Sequence, residues 1–342
     1  MGQMINGRWE TDAKAIELVK GRFERPASTF RQAIGPQGPF PAEVGRYHLY
    51  VSLQCPWAWR TIAMRSLKRL EPIISMSIAI PDGRREGWIF GDAFPGSTAD
   101  CAEGYSHLYQ AYAQADPDYT GIVSVPVLWD KQSHTIVNNE SADILRILNS
   151  AFDVFGGSEI DFYPAPLRHQ INSNNDRIYD GLNNGVYRAG VARAQDAYAE
   201  AYAQVFNTLD WLEDILGRSR YVNGAALTET DVRLAATLFR FDPVYYSLFR
   251  CNRRMVASYE NLTAYLRDFY QTPGVAETVN LRHIVTGYYS QRWNPGGIIP
   301  LGPEGYESWL AQPHDRDRAL WSGRGQPAET EALATAFAPR RP

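Results

Sequence analysis

The chain is poor in cysteine, in histidine and in long apolar runs, and each shortage excludes something. Only 3 of its 342 residues are cysteine, namely Cys55, Cys101 and Cys251. Widely spaced and odd in number, they form neither a disulfide framework nor a Cys-x-x-Cys metal or redox pair, so a reducing compartment is expected. The 6 histidines are scattered, and no spacing supports a zinc site, a phosphate loop or a Ser-His-Asp arrangement; no metal is expected. Neither sign of charge dominates. With 34 Lys and Arg against 38 Asp and Glu, the formal net charge is -4 and no long single-sign run occurs. That removes the electrostatic argument for nucleic acid or an anionic membrane. The patch "RCNRRM" from Arg250 to Met255 reads as a solvated helix end. No apolar run approaches membrane-spanning length. The opening "MGQMINGRWETDAK" lacks a hydrophobic signal core, and Asn6 breaks the myristoylation pattern. The expectation is a soluble, cytoplasmic protein with no nucleic-acid or membrane partner.

What is present is length and aromatic surface. A chain of 342 residues favours two domains with room for tails, and 9 Trp with 20 Tyr point to aromatic-lined surfaces or clefts. Residues 1–44 are rich in Gly, Pro and charge without sustained periodicity, and read as an ordered but irregular N-terminal extension. From Arg46 the texture changes. "RYHLYVSL" predicts a buried strand, "PWAWRTIAMRSLKRL" an amphipathic helix and "PIISMSIAI" a second strand, together a βαβ unit. After a polar, aromatic insertion from Pro81 to Thr120, "VPVLWD" and "HTIVNN" flank the turn "KQS" as a hairpin, and "NESADILRILNSAF" follows as a helix. This describes a compact α/β domain over residues 45–152, with a linker at 153–166.

Residues 167–290 are expected to form an all-α bundle, and 291–342 a Pro/Gly-rich tail that wraps the surface. In "DAYAEAYAQVFNTLDWLEDIL", Tyr198, Tyr202, Val205, Leu209, Leu212 and Leu216 step by three and four along one face of a long helix. In "LTETDVRLAATLFRFD", Thr228 can cap a helix while the Asp231 carboxylate reaches back.

Three local features could carry chemistry. In "QCPWAWR", Cys55 stands where the first strand hands over to the helix. There its sulfur faces unpaired N–H groups and the positive end of the helix dipole, which favours thiolate over thiol. Pro56 suits the first helical turn, where it has no N–H to lose. The alternative is a small buried cysteine filling a helix–sheet contact. A dithiol role is excluded locally because Ala58 occupies the second position of the would-be pair; a monothiol can form a mixed disulfide but needs an outside thiol to resolve it. In "SVPVLWD", Pro126 is either an edge-strand proline or a cis turn. If cis, it would let the Val125 backbone offer its N–H and C=O to an extended peptide. In "NNESADIL", Glu140 and Ser141 stand at a helix start, either as an ordinary cap or as a carboxylate-binding site. Together the three outline a cleft suited to a small peptide thiol such as glutathione.

At this point a resemblance becomes specific. A thioredoxin-like half with "CPWA", "VPVLWD" and "NNES", joined to a helical half with the Thr-x-x-Asp capping box, resembles a glutathione transferase. More narrowly, "SLQCPWAWRT", "GWIF", "IVNNES", "GVYRAG", "RFDPVYY", "CNRR", "GVAETV", "YYS" and "NPGGIIPLGP" resemble the glutathionyl-hydroquinone reductases, the omega-like Xi class, from about Tyr47 to Pro303. The resemblance implies a thioredoxin-like N-terminal domain and an all-helical C-terminal domain. It implies glutathione as co-substrate, an aromatic hydroquinone-type conjugate as substrate, and a homodimer. It also implies a reaction: Cys55 attacks the thioether sulfur, hydroquinone leaves, and a second glutathione resolves the mixed disulfide. By motif position, Trp88, Val125, Pro126, Glu140 and Ser141 would hold glutathione. Tyr187 and Tyr288 would face the aromatic ring, where packing alone would otherwise account for them; Tyr289 reads as core.

Three positions depart from the pattern that the resemblance implies. Trp59 and Gly287 stand where histidines are usual, and Gln54 replaces a small residue beside the cysteine. Trp59 and Gly287 are expected to reshape the acceptor pocket. Two alternatives remain in view. One is a different glutathione-dependent transferase that cleaves aryl thioethers or ethers, removes halogens or deglutathionylates proteins. The other is a non-catalytic ligand-binding or assembly module.

Overall fold

A computed structural model describes residues 2–11, 18–19, 21–24, 26–36, 38–81, 86–158, 160–291, 294 and 296–316. The strands are β1 (Gln3–Ile5), β2 (Arg8–Glu10), β3 (Leu18–Val19), β4 (Arg22–Phe23), β5 (Tyr47–Val51), β6 (Ser75–Ile78), β7 (Val127–Asp130) and β8 (Thr135–Asn138). The helices are α1 (Pro56–Leu67), α2 (Leu108–Ala115), α3 (Ser141–Ser150), α4 (Arg168–Ile178), α5 (Gly185–Val191), α6 (Gln195–Leu216), α7 (Glu229–Arg240), α8 (Glu260–Tyr270), α9 (Leu281–Tyr289) and α10 (Tyr306–Leu310). The described residues fall into two compact units. One is built from Met1–Val19, Phe23–Phe155 and Asn280–Pro300, the other from Lys20–Arg22, Gly156–Val279 and Leu301–Pro342.

The first unit is organised on a mixed sheet of order β6-β5-β7-β8. β5 runs parallel to β6 and antiparallel to β7, and β7 pairs antiparallel with β8. Every residue of β5 and β7 is buried, which is why "YHLYV" and "VLWD" read as continuous apolar runs rather than alternating ones. The βαβ unit, the hairpin and the helix after it are where the apolar periodicity predicts them.

The hairpin turn is fixed by charge. Arg46 grips Asp130 with two hydrogen bonds of 2.8 and 2.6 Å, while Ser133 Oγ and the Gln132 amide donate to the same carboxylate. Burial would push this carboxyl up, but the bonds from Arg46, Ser133 and Gln132 outweigh it and hold its pKa below the usual range. Ser133→Ala is expected to lower stability by about 1–2 kcal/mol near neutrality. A carboxylate with a depressed pKa contributes stability above its unfolded pKa and loses it as pH falls, so the deficit should fade below about pH 4. Urea midpoints at pH 7 and pH 3 check both statements.

Two parts of this unit differ from expectation. The 1–44 extension is not purely irregular: β1 and β2 form a hairpin whose turn is Asn6-Gly7, both with positive φ (48° and 73°). Asn-Gly is the residue pair such a turn demands. Farther on, the extension is stitched along β8, with Gln32 N donating to Val137 O and Asn139 N to Phe30 O. The insertion from Pro81 to Thr120 contains α2, an eight-residue helix started by a His107–Gln110 capping box.

In the second unit α6 is the long helix expected. Its inner face runs through Ala197, Ala201, Val205, Leu209, Leu212 and Leu216, so near the N-terminus alanines are buried and Tyr198 and Tyr202 are only half-buried. α7 is buried along almost its whole length, as befits the central helix of a bundle. Thr228 and Asp231 form the expected capping box at its start. Part of the C-terminal tail is anchored: Arg316 is buried and donates to the carbonyls of Leu216, Ser219 and Arg220. The tail from residue 317 onward lies outside the described residues.

The helix expected to close the α-bundle, α9, groups instead with the first unit. Its His283 Nε2 lies 2.9 Å from Pro95 O, the His283 ring packs edge-on against Phe94, and Ser290 Oγ donates to Pro81 O. A helix with two apolar sides carries no local sign of which unit it will join.

Candidate functional site

The site grows from the ends of two neighbouring strands. Tyr50 of β5 lies opposite Val127 of β7, so the chain leaving β5 and the chain entering β7 run side by side. Cys55 lies on the first of these and Val125 on the second, with Cys55 Sγ 3.7 Å from the Val125 carbonyl, to which the thiol donates. Cys55 has extended backbone (φ -78°, ψ 123°) and is the residue immediately before α1, with Pro56 in the first turn. Its own carbonyl accepts from Trp59 N at 2.9 Å, which starts the helical ladder. Cys55 is half-buried. No acidic side chain stands in the first turn of α1, so nothing there opposes the helix dipole and first-turn amides that favour an anionic sulfur.

The Val125–Pro126 peptide is cis, the second of the two alternatives the sequence leaves open. β7 begins at Val127, so the Val125 amide lies outside the sheet ladder. Trp88 is half-buried and donates from its indole N–H to Val123 O at 3.2 Å, which ties its ring to the segment leading into Val125.

Glu140 and Ser141 open α3. The Glu140 carboxylate caps that helix by accepting from Ala142 N at 3.1 Å, and it also accepts from Ser28 Oγ at 2.9 Å. The structure shows the cap reading of this pair: Glu140 is the N-cap of α3. Arg60, buried on α1, reaches Ser141 Oγ at 3.5 Å and lies over the Trp57 ring. Neither Ser28 nor Arg60 was apparent from the sequence. Ser28 lies in a stretch without periodicity, and Arg60 reads as one more charge on an amphipathic helix.

Tyr288 belongs to the same unit. It is buried on α9, whose Gly287 lies directly against Gln54, the residue before Cys55. Tyr187 belongs to the other unit, half-buried on α5 with its ring packed against Phe249 and Tyr245. Cys55, Trp88, Val125, Pro126, Glu140, Ser141 and Tyr288 thus share one unit, and Tyr187 does not. Tyr289 is buried, as read from the sequence. Trp59 is only 1% exposed and packs as a core side chain, which argues against it as an open pocket wall. Among the described residues no group of three or more His, Cys, Asp or Glu is placed to hold a metal ion, and no helix is long and apolar enough to cross a membrane.

Two family models match the chain: the glutathione S-transferase N-terminal domain over residues 54–151, and the C-terminal domain of the same enzymes over residues 195–268. The chain is 51% identical to the glutathionyl-hydroquinone reductase YqjG of Escherichia coli, across 93% of this chain and 99% of that one. It belongs to the glutathione S-transferase family. Within that family it is 46% identical to the glutathionyl-hydroquinone reductase PcpF of Sphingobium chlorophenolicum, across 89% of this chain and 96% of that one. The glutathione-bound structure of YqjG superposes with a TM-score of 0.84 at 49% identity, covering 93% of this chain and 99% of that one. A Xi-class transferase from Natrialba magadii superposes at 0.86 with 43% identity, covering 93% of this chain and 97% of that one. This transferase is therefore of the Xi class, with the thioredoxin-like and all-helical halves of its relatives.

Proposed function

We propose that this transferase is a glutathionyl-hydroquinone reductase, with Cys55 as its sole essential nucleophile. The observation that carries the reading is the thiol of a single, half-buried cysteine at the start of α1, beside the Val125 carbonyl and with no second cysteine one helical turn on. Such a sulfur can take up a partner sulfur only from the substrate. The names of the relatives in Escherichia coli and Sphingobium supply the substrate class.

The glutathione half of the conjugate is held by Trp88, the Val125 backbone beside Pro126, and Glu140 with Ser141. A γ-glutamyl end carries both an ammonium and a carboxylate, which suits a carboxylate and a hydroxyl side by side. Cys55 thiolate attacks the glutathione sulfur. The electron pair of the carbon–sulfur bond passes to the ring carbon, which takes a proton, and hydroquinone leaves. Sulfur is oxidised to the Cys55–glutathione disulfide as the ring carbon is reduced. The thiolate of a second glutathione then attacks the glutathione sulfur, releasing oxidised glutathione and regenerating Cys55. Tyr187 and Tyr288 bond the ring oxygens and offset the charge that develops as sulfur departs. The protein acts as a homodimer in the cytoplasm, a reducing compartment that suits three cysteines widely spaced and odd in number.

Turnover of a glutathionyl-hydroquinone with excess glutathione tests the reading. Hydroquinone and oxidised glutathione should appear one for one. Formation of a thioether conjugate from a halogenated or ether substrate, without oxidised glutathione, would instead assign the protein to the conjugating transferases.

A further inference from the structure

We infer that Gln54 and Gly287 form a size-matched pair that sets which aromatic groups can reach Cys55. A Cβ built on Gly287 would lie 1.7 Å from Gln54 Oε1, 2.3 Å from its Cδ and 2.5 Å from its Cβ. The last of these is the root of the side chain rather than its flexible end, so rotating the amide away would not relieve the clash. Gln54 therefore fills the space that any side chain at 287 would need. Gly287 lies inside α9 and is not among the glycines with positive φ. Glycine is a poor helix former, so it is kept here for room rather than for backbone freedom. Both neighbours in sequence matter: Gln54 precedes Cys55, and Gly287 precedes the buried Tyr288. The Gly287 carbonyl also accepts from Ser290 Oγ and Gln291 Nε2, which pins this turn of α9.

Gln54 is a positioning and specificity residue. Its side chain is only 7% exposed and is the spacer between the nucleophile's loop and the backbone of α9. A longer side chain at 287 would displace Gln54 and with it the backbone that leads into Cys55. A shorter one at 54 would leave a void against α9, next to the residue that carries the nucleophile, into which a ring substituent could enter. The aromatic class rests on the reductase reading, whereas the pair rests on geometry alone.

The test measures Gln54→Ser, Gly287→Ala and the double variant in two ways. The first is alkylation of Cys55, mapped by peptide mass, with a small reagent (iodoacetamide) and a bulky one (N-phenylmaleimide). The second is the kcat and KM for glutathionyl-hydroquinones without and with bulky ring substituents. Gln54→Ser should raise the bulky-to-small preference ~10-fold in both measurements, the scale of discrimination that a small change of pocket volume supports. Gly287→Ala should slow both reagents ~10-fold, and the double variant should recover part of that loss, because serine removes the Cδ and Oε1 contacts while keeping the Cβ one, a non-additivity expected only of side chains in contact. If Gly287→Ala does not fold, the preference of Gln54→Ser against the double variant still reads the pair. An unchanged preference in Gln54→Ser, or effects that simply add in the double variant, would overturn the inference. If the enzyme turns over no hydroquinone conjugate yet alkylation shows the size preference, the reductase reading fails and the pair stands.

Discussion

Cys55→Ser is expected to lower kcat/KM for a glutathionyl-hydroquinone by at least about a thousand-fold, the scale seen when a covalent nucleophile is removed. The same substitution should leave the fold intact or slightly more stable. Cys55 makes no side-chain cap bond to α1, whereas serine is among the preferred N-caps, its hydroxyl oxygen able to accept from a backbone N–H of the first turn. Steady-state kinetics beside a urea melt separate the two effects. A variant that keeps more than about a tenth of the activity would mean that the chemistry does not pass through this sulfur.

The largest stability effect is expected in the second unit, at Asp231. Its carboxylate is fully buried and accepts from Val222 N at 3.0 Å, Thr228 N at 2.9 Å, Thr228 Oγ1 at 3.0 Å and Tyr265 OH at 3.1 Å. Asp231→Ala leaves those donors buried with no acceptor there, which should cost about 3–5 kcal/mol. Thr228→Ala removes one hydroxyl and should cost about 1 kcal/mol. Burial pushes the Asp231 carboxyl up to about 6, against the hydrogen bonds that favour its charge. The sign follows from that direction: the folded state holds the proton more tightly than the unfolded chain does. The contribution of this group is therefore greatest below its unfolded pKa near 4 and falls as pH rises through about 6. The gap between wild type and Asp231→Ala in urea midpoints should narrow from pH 4 to pH 7; a gap that widens would contradict the assignment.

Much of this was legible in the chain itself, and the exceptions have physical causes. The run "YHLYV", the α1 helix and the "VLWD"–"TIVN" hairpin follow from apolar periodicity and turn chemistry, which act within a few residues. So does the capping box at Thr228. The Asn6-Gly7 turn was written just as plainly in "MINGRW" but lay in a stretch dominated by glycine and proline. The α2 helix spans only eight residues, about two turns, so its 3.6-residue period hardly repeats. Around Cys55, the cysteine, Val125, Glu140 and Ser141 stood out because strand ends and helix starts have local signatures. Ser28, Arg60 and the contact of Gln54 with Gly287 did not, because each joins segments far apart in sequence. Trp59 shows the converse: one turn beyond the cysteine it reads as a residue that reshapes the acceptor pocket, yet α1 is buried along most of its length and Trp59 is 1% exposed.

The central claim is that one sulfur takes glutathione from the conjugate. The most direct measurement is the mass of the protein after a single turnover of a glutathionyl-hydroquinone without free glutathione, followed by peptide mapping. The account predicts one hydroquinone released and one glutathione bound per protomer, on Cys55, and loss of that adduct as oxidised glutathione when glutathione is added. Hydroquinone released with no adduct, or an adduct on Cys101 or Cys251 while Cys55 stays free, would contradict it.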